Sequence, residues 1–434
     1  MSIRKSIEWI NNLPVNWSAV QLKYLLASEN GAMKVGPFGT QLSGNDFTDE
    51  GYWVYNQRTV VNQNFEDNTT FISEEKYNSM KGFQVEADDI LITSRGTIGK
   101  ICRVPQSFHK GIIHPCIIKF RIDDSKILYS IVRLLFNESD IIKEQLLYMS
   151  NATTIDVVYS SSLKNVFLPV APIKMQHQIS SYLDAKCTEI DSLSADIQSQ
   201  IDTLEQYKRS VITEAVTKGL DKNVEMKDSG ITYVGKIPSL WNIHPIYYYF
   251  SERKNKNRLG QEQNLLSLSY GKIIEKDINT NEGLLPESFN TYNIVEPGDI
   301  IIRPTDLQND QRSLRTGLVK EHGIITSAYL DLMPIREINT EYYHYLLHAF
   351  DVMKVFYNMG NGVRQGLNFS EFSRLMVFEP SLAEQNAIVD YLNDKCAQID
   401  TVISEKQKQL STLDAYKKSL IYEYVTGKKE VPVS

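Results

Sequence analysis

The feature that most constrains this chain is that it repeats itself. Sliding the sequence by 209 positions lays residues 176–217 on 385–426, with 19 of the 42 aligned positions identical. Gln176, Ile179, Tyr182, Leu183, Lys186, Cys187, Ile190 and Asp191 fall on Gln385, Ile388, Tyr391, Leu392, Lys395, Cys396, Ile399 and Asp400. Further along, Leu204, Tyr207, Lys208, Ser210, Ile212 and Glu214 fall on Leu413, Tyr416, Lys417, Ser419, Ile421 and Glu423. Agreement over so long a run without a gap means duplication. A second match has an offset of 224, placing Ile7, Pro14 and Trp17 on Ile231, Pro238 and Trp241. Between these anchors the copies barely resemble each other. One landmark survives: Asp88–Ile92 against Gly298–Ile302, each followed by an arginine, Arg95 and Arg303. Variable and repeated blocks therefore alternate, and the first variable block is 15 residues longer, the difference between the offsets.

The repeated block reads as a long helix. Ile190, Leu193, Ile197, Gln200, Leu204, Tyr207 and Val211 alternate steps of three and four, the a/d pattern of a coiled coil. The second copy runs Ile399, Val402, Lys406, Gln409, Leu413, Tyr416, Leu420. No proline interrupts either run, and Gly219 and Gly427 stand where a C-terminal stop is expected. Helices of roughly 35–40 residues follow, and two in one chain invite an intramolecular pair, with ordinary bundle helices as the alternative. The variable blocks carry short β-branched runs at 54–55, 90–92, 112–113 and 117–120, then helical stretches at 127–149 and 340–359. Strands leading out are expected near 166–170 and 376–378. Strands followed by helices point to α+β domains.

Composition excludes several classes. Of 434 residues, 42% are hydrophobic and 23% charged, which rules out a disordered or collagen-like chain. No run approaches the ~20 apolar residues of a membrane span, no apolar core follows Met1–Lys5, and the expected compartment is the cytoplasm. Four cysteines without a CxxC argue against a disulfide scaffold or zinc ribbon. The formal net charge of −7 counts against a nucleic-acid binder unless positive charge is concentrated locally.

Catalytic constellations are missing. Gly96–Lys100 ends like a P-loop, but the first glycine is misplaced and no Ser or Thr follows the lysine. Gly360-Asn361-Gly362 lacks the later glycine of a dinucleotide fingerprint, and no Asn/Asp-Pro-Pro-aromatic tetrapeptide of amino-methyltransferases occurs. His344 and His348 have i,i+4 spacing without the glutamate of a zinc-protease helix. No metal site is expected. Cys187 and Cys396 suit buried structural thiols.

What remains are loops of basic, amide and hydroxyl side chains. Arginine can grip guanine bidentately, amides can grip adenine, and glycine lets backbone N–H approach phosphate. The candidate DNA contacts are Lys34, Gln41, Arg58, Thr93, Ser94, Arg95 and Lys100 in the first variable block. In the second they are Arg253, Lys254, Arg303, Thr305, Arg312, Arg315, Arg364 and Gln365. Taken singly, each of these reads more readily as a solvated loop residue; their concentration in loops raises the joint case for DNA contact.

Taken together, these features resemble the specificity subunit of a type I restriction–modification system. Lys227–Ile231 with Gly235–Pro238 and Trp241 resembles the segment that opens a target recognition domain. Lys34–Gln41 resembles its Gly-Pro-Phe-Gly loop, Asp89–Lys100 its Gly-Asp-Ile-Leu…Arg-Gly-Thr-Ile-Gly-Lys hairpin, and Gly362–Asn368 its late loop. Pro380 with Glu384-Gln385 resembles the run into its helix. Asp88 departs from the usual glycine, Met175 stands where the other copy has Glu384, and Asn151–Thr154 replaces the Val-Arg-Gln element.

The resemblance implies an α+β fold: two α/β target recognition domains in pseudo-two-fold arrangement, separated by two long antiparallel coiled-coil helices. The blocks are 1–173 and 223–381 for recognition, 174–222 and 382–434 for the helices. Each domain would read half of a bipartite double-stranded DNA site, and the helices would set the spacer. Two modification (methyltransferase) subunits would dock on Tyr182, Leu183, Ile190, Leu204 and Tyr207 and on Tyr391, Leu392, Ile399, Leu413 and Tyr416. S-adenosylmethionine, ATP and Mg²⁺ would belong to those modification subunits and to restriction (endonuclease/translocase) subunits, and this chain would have no activity of its own. The rival readings are a coiled-coil scaffold with two heads that bind no DNA, and an autonomous modifying enzyme.

Overall fold

The computed structural model describes residues 8–29, 31–150, 157–278, 288–305, 314–359 and 366–432. The repeated blocks are two unbroken helices, Ile173–Lys218 and Leu382–Val425, of 46 and 44 residues. They exceed the expected length because each starts almost directly after a strand, Phe167–Val170 and Met376–Glu379. The duplicated glutamine explains both starts. The Gln176 amide donates to Ala171 O (2.7 Å) and Lys126 O (2.9 Å) and accepts from Leu128 N (2.9 Å). The Gln385 amide donates to Pro380 O (3.0 Å) and accepts from Asn339 N (2.9 Å). Both are buried, so each amide answers backbone groups that would otherwise be orphaned. The nonidentical pair Met175 and Glu384 serves one purpose too. The indole N–H of Trp17 donates to Met175 Sδ (3.2 Å), and that of Trp241 to Glu384 Oε2 (3.0 Å).

Contacts divide the chain into two compact units, residues 1–197 with 408–434, and residues 198–407. Each long helix is shared between units, where the sequence blocks kept it whole. Within the first unit, Lys417 Nζ meets Asp191 at 2.9 Å; within the second, Lys208 Nζ meets Asp400 at 2.6 Å. These are the same two duplicated residues, and both pairings require the helices to run antiparallel. The a/d seam is only partly followed. Ile190, Ile197, Ile201 and Val211 are buried, whereas Leu193, Tyr207, Val402 and Tyr416 are exposed. An untwisted helix has 3.6 residues per turn, so the apolar line drifts off a strict heptad, here at Ile201.

The variable blocks share a topology that their sequences conceal. The first unit has an antiparallel sheet in the order Met33–Val35, Ile117–Phe120, Ile90–Thr93, Ile101–Arg103. The second unit has Phe250–Glu252, Leu330–Pro334, Ile300–Ile302, Thr316–Leu318 in the same order. A second four-stranded sheet in each unit contains one parallel pairing, Tyr52–Tyr55 with Gly111–Ile113 and Leu265–Ser269 with Gly323–Ile325. Ile90, Ile92, Ile118 and Phe120 pack with Ile179 and Leu183 of the central helix in one core; Ile300, Ile302 and Leu332 pack with Ile388 and Leu392 in the other.

The expected helix at 127–149 is opened in the middle. Tyr129–Arg133 and Ile141–Ser150 are α-helical, with a π turn at Leu134–Glu138 between them. There Asn137 turns its amide onto Ile101, accepting from its N (2.8 Å) and donating to its O (2.9 Å). The stretch at 340–359 forms Thr340–Val352 and a short 3₁₀ turn.

Candidate nucleic-acid interface

In the first unit four loops meet at one end of the two sheets. Gly36 N donates to Ile117 O (2.9 Å), Ser94 N to Cys116 O (2.8 Å), and His114 N to Tyr55 O (2.9 Å). These bonds bring together residues 36–41, 94–99, 114–116 and 56–58. With its amide turned to suit its neighbours, Gln57 donates to Arg95 O (3.1 Å) and accepts from Thr97 N (2.7 Å). Gly36 is required by space, since a Cβ there would lie 2.2 Å from His114 O. The sequence candidates Lys34, Gln41, Arg58 and Arg95 are exposed on or beside this end. Arg58 is held by Asp67 at 3.1 Å.

The other candidates of this block face inward. Thr93 and Ser94 are buried; Thr93 Oγ1 accepts from Lys100 N (3.1 Å) and closes the hairpin. Lys100 Nζ donates to Asn137 O (2.6 Å), which ties its ammonium to the π turn. These three are corrected from DNA contacts to supports of the loop.

In the second unit the equivalent end is built differently. Leu367 N donates to Pro304 O (2.9 Å), as Val158 N donates to Ser94 O (2.8 Å) in the first. Arg303 N donates to Arg315 O, as Thr93 N does to Lys100 O. The ladder thus equates Arg303 with Thr93 and Arg315 with Lys100, so Arg95 and Arg303 are not counterparts. Arg315 is fully buried, donates to the carbonyls of Thr305 and Arg303, and is corrected to a positioning residue beneath their loop. Lys254 and Thr305 are exposed and Arg303 half-buried. Arg312, Arg364 and Gln365 lie outside the described residues.

Arg253 is also corrected. Its guanidinium grips the buried Asp299 through Nε (2.7 Å) and a terminal nitrogen (3.0 Å). The first unit buries Asp89 in the same place and neutralises it with Lys119 (3.0 Å) and Arg121 (2.7 Å). Strand register puts Asp331 where Lys119 stands. Asp331 is buried beside Asp299, and burial followed by the Asp299 charge pushes its carboxyl far above the ordinary range.

On the helices, Leu183, Ile190, Leu392 and Ile399 are buried against their own units and unavailable to a partner. Tyr182, Leu204 and Leu413 are half-buried, whereas Tyr207, Tyr391 and Tyr416 are exposed. The half-buried His344 and His348 are each pushed down to about 4, by desolvation first and then by neighbouring cationic or histidine groups. Among the described residues no group of three or more His, Cys, Asp or Glu could hold a metal, and no helix is long and apolar enough to cross a membrane. Sequence reasoning missed Gln57, which braces the turn at 95–97 through backbone groups that only the fold brings near it.

Two sheet-rich units of one topology, each with exposed cationic and amide side chains on the loops at one end of its sheets, share two long helices. Residues 14–203 match the family of the type I restriction modification DNA specificity domain. Two relatives come from Methanocaldococcus jannaschii. The MjaVIII type I restriction enzyme specificity subunit is 24% identical over 74% of this chain and 75% of its own length. The putative MjaX type I restriction enzyme specificity subunit is 23% identical over 97% and 96%. A solved chain, from work on complex assembly and conformational transition of the type I R-M system, shares the fold: its TM-score is 0.70 at 14% identity, over 96% of this chain and 99% of that one. Over most of its length this chain is similar to type I restriction enzyme specificity subunits, and residues 14–203 resemble their DNA specificity domain.

Proposed function

We propose that each unit reads one half of a bipartite double-stranded DNA site through its loop end, and that the shared helices set the spacer. The observation that carries this reading is the repeated loop end itself. Ser94–Val158 and Pro304–Leu367 make the same backbone bond, and exposed cations flank both, although the intervening sequences differ. A constant frame with divergent tips is what two half-sites of unlike sequence require. The chain is non-catalytic and acts in the cytoplasm. Two modification subunits dock on the helices, and restriction subunits join that complex. S-adenosylmethionine, ATP and Mg²⁺ are held by those partners. Docking of two copies is supported by the duplicated exposure of Tyr207 (55%) and Tyr416 (54%), one in each unit. The net charge of −7 fits a chain whose firm DNA binding needs its partners.

The test is a domain exchange. Replacing residues 17–170 by the corresponding block of another specificity subunit, then mapping methylated bases in the host genome, should change one half-site and leave the other. A change in both half-sites, or in neither, sinks the modular reading.

A further inference from the structure

We propose that each unit carries an apolar wedge, Phe38 in the first and Leu259 in the second, that inserts at a base step of its half-site and partly unstacks it. The proposal rests on the DNA-reading function above and adds residues to it. Phe38 is 58% exposed at the tip of the loop that follows the edge strand Met33–Val35; Leu259 is 80% exposed in the loop that follows the edge strand Phe250–Glu252. The two strands hold the same place in their sheets. Each apolar tip immediately precedes a glycine in the left-handed region, Gly39 at φ +59° and Gly260 at φ +63°.

Neither loop is loose. In the first, Gly36 abuts His114 O, Pro37 and Leu42 are buried on either side of the tip, and Phe38 N donates to Gln41 Oε1 (3.3 Å). In the second, buried Asn257 donates to Glu262 O (2.9 Å) and accepts from Glu262 N (3.2 Å), while Gly260 N donates to Asn257 O (2.9 Å). A braced loop that holds its largest apolar side chain in water forgoes burial energy. Exposed cations stand on the same loops or on neighbouring ones: Lys34 and Arg95 in the first unit, Arg258 and the Glu252-paired Lys254 in the second. Phosphate-binding charge around a protruding Phe or Leu is the composition of side chains that wedge between base pairs. The sequences of the two loops are unrelated, so the shared device is not a relic of the duplication visible in the helices.

The experiment uses the full chain and short duplexes selected with it from a random-sequence library, then probed for unstacked thymines by permanganate. The wild-type chain should expose one hyper-reactive step in each half-site. Phe38→Ala should abolish one signal and Leu259→Ala the other. Affinity should fall about 10-fold or more, the scale on which a base-stacking side chain contributes. The slope of log affinity against log salt should stay unchanged, because no phosphate contact is removed. Phe38→Leu should keep the signal. Unaltered melting temperatures will show that the variants fold. Enriched duplexes without any unstacked step, or with steps that persist in both alanine variants, overturn the wedge and leave the DNA-reading function standing. Failure of selection to enrich any sequence, with the chain alone and again with modification subunits added, overturns both.

Discussion

Asp89 and Asp299 are buried acids at one position of a repeated sheet, neutralised from different strands. In the first unit the central strand supplies Lys119; in the second that place holds Asp331, and the cation comes from Arg253, one residue past the edge strand. Arg253 makes its close bonds to Asp299 and lies 3.9 Å from Asp331, so although burial raises both carboxyls its charge favours ionisation of Asp299 over that of Asp331. Glu252 and Glu296 add further negative charge around the pair. Burial, then the Asp299 charge, push Asp331 up to about 8. The unfolded chain ionises this carboxyl near pH 4 while the folded chain keeps its proton, so stability falls as pH rises through that interval, by up to about 1.4 kcal/mol per pH unit, and levels off above the folded value. Asp331→Asn keeps the neutral shape and should remove that slope. Denaturant midpoints at acid, neutral and mildly alkaline pH check it; parallel wild-type and variant curves would refute the shared proton.

The duplicated ion pairs and the duplicated leucines of the helices act on different energy scales. Lys208 and Asp400 are partly solvated, so Lys208→Met should cost no more than about 1 kcal/mol. Lys417 is more deeply set and meets Glu138 (3.3 Å) as well as Asp191, and its loss should cost more than that of Lys208. Leu183→Ala or Leu392→Ala empties a fully buried site and should cost about 2–5 kcal/mol. Equilibrium unfolding of the four variants ranks them; equal losses for lysines and leucines would mean that the charges, not the apolar contacts, hold the helices. The helices were legible because 3.6-residue periodicity and a near-identical repeat both lie along the chain. Which apolar positions face inward was not, because the seam drifts and the adjoining sheets claim Leu183 and Leu392 for themselves.

At the scale of the molecule, both units draw on both helices, which makes helix length a candidate ruler. Deleting Ser194–Gln200 and Ile403–Gln409, the same heptad in each copy, shortens each helix by about 10 Å. The spacer should contract by about three base pairs with both half-sites kept, since successive base pairs rise about 3.4 Å along the duplex. Methylome mapping reads the result, and an unchanged spacer would refute the ruler.

The sequence by itself determined the duplication, the long helices, the alternation of blocks and the family resemblance, since each is written in order along the chain. Only the tertiary structure decided that the two variable blocks share one topology, because strand pairing depends on register and burial, which unlike side chains satisfy equally well. It likewise turned Thr93, Ser94, Lys100, Arg253 and Arg315 inward, although each reads as a plausible DNA contact in the sequence. A basic or hydroxyl side chain in a loop has the same local chemistry whether it meets a phosphate or a buried carbonyl, and only the three-dimensional neighbourhood supplies the partner.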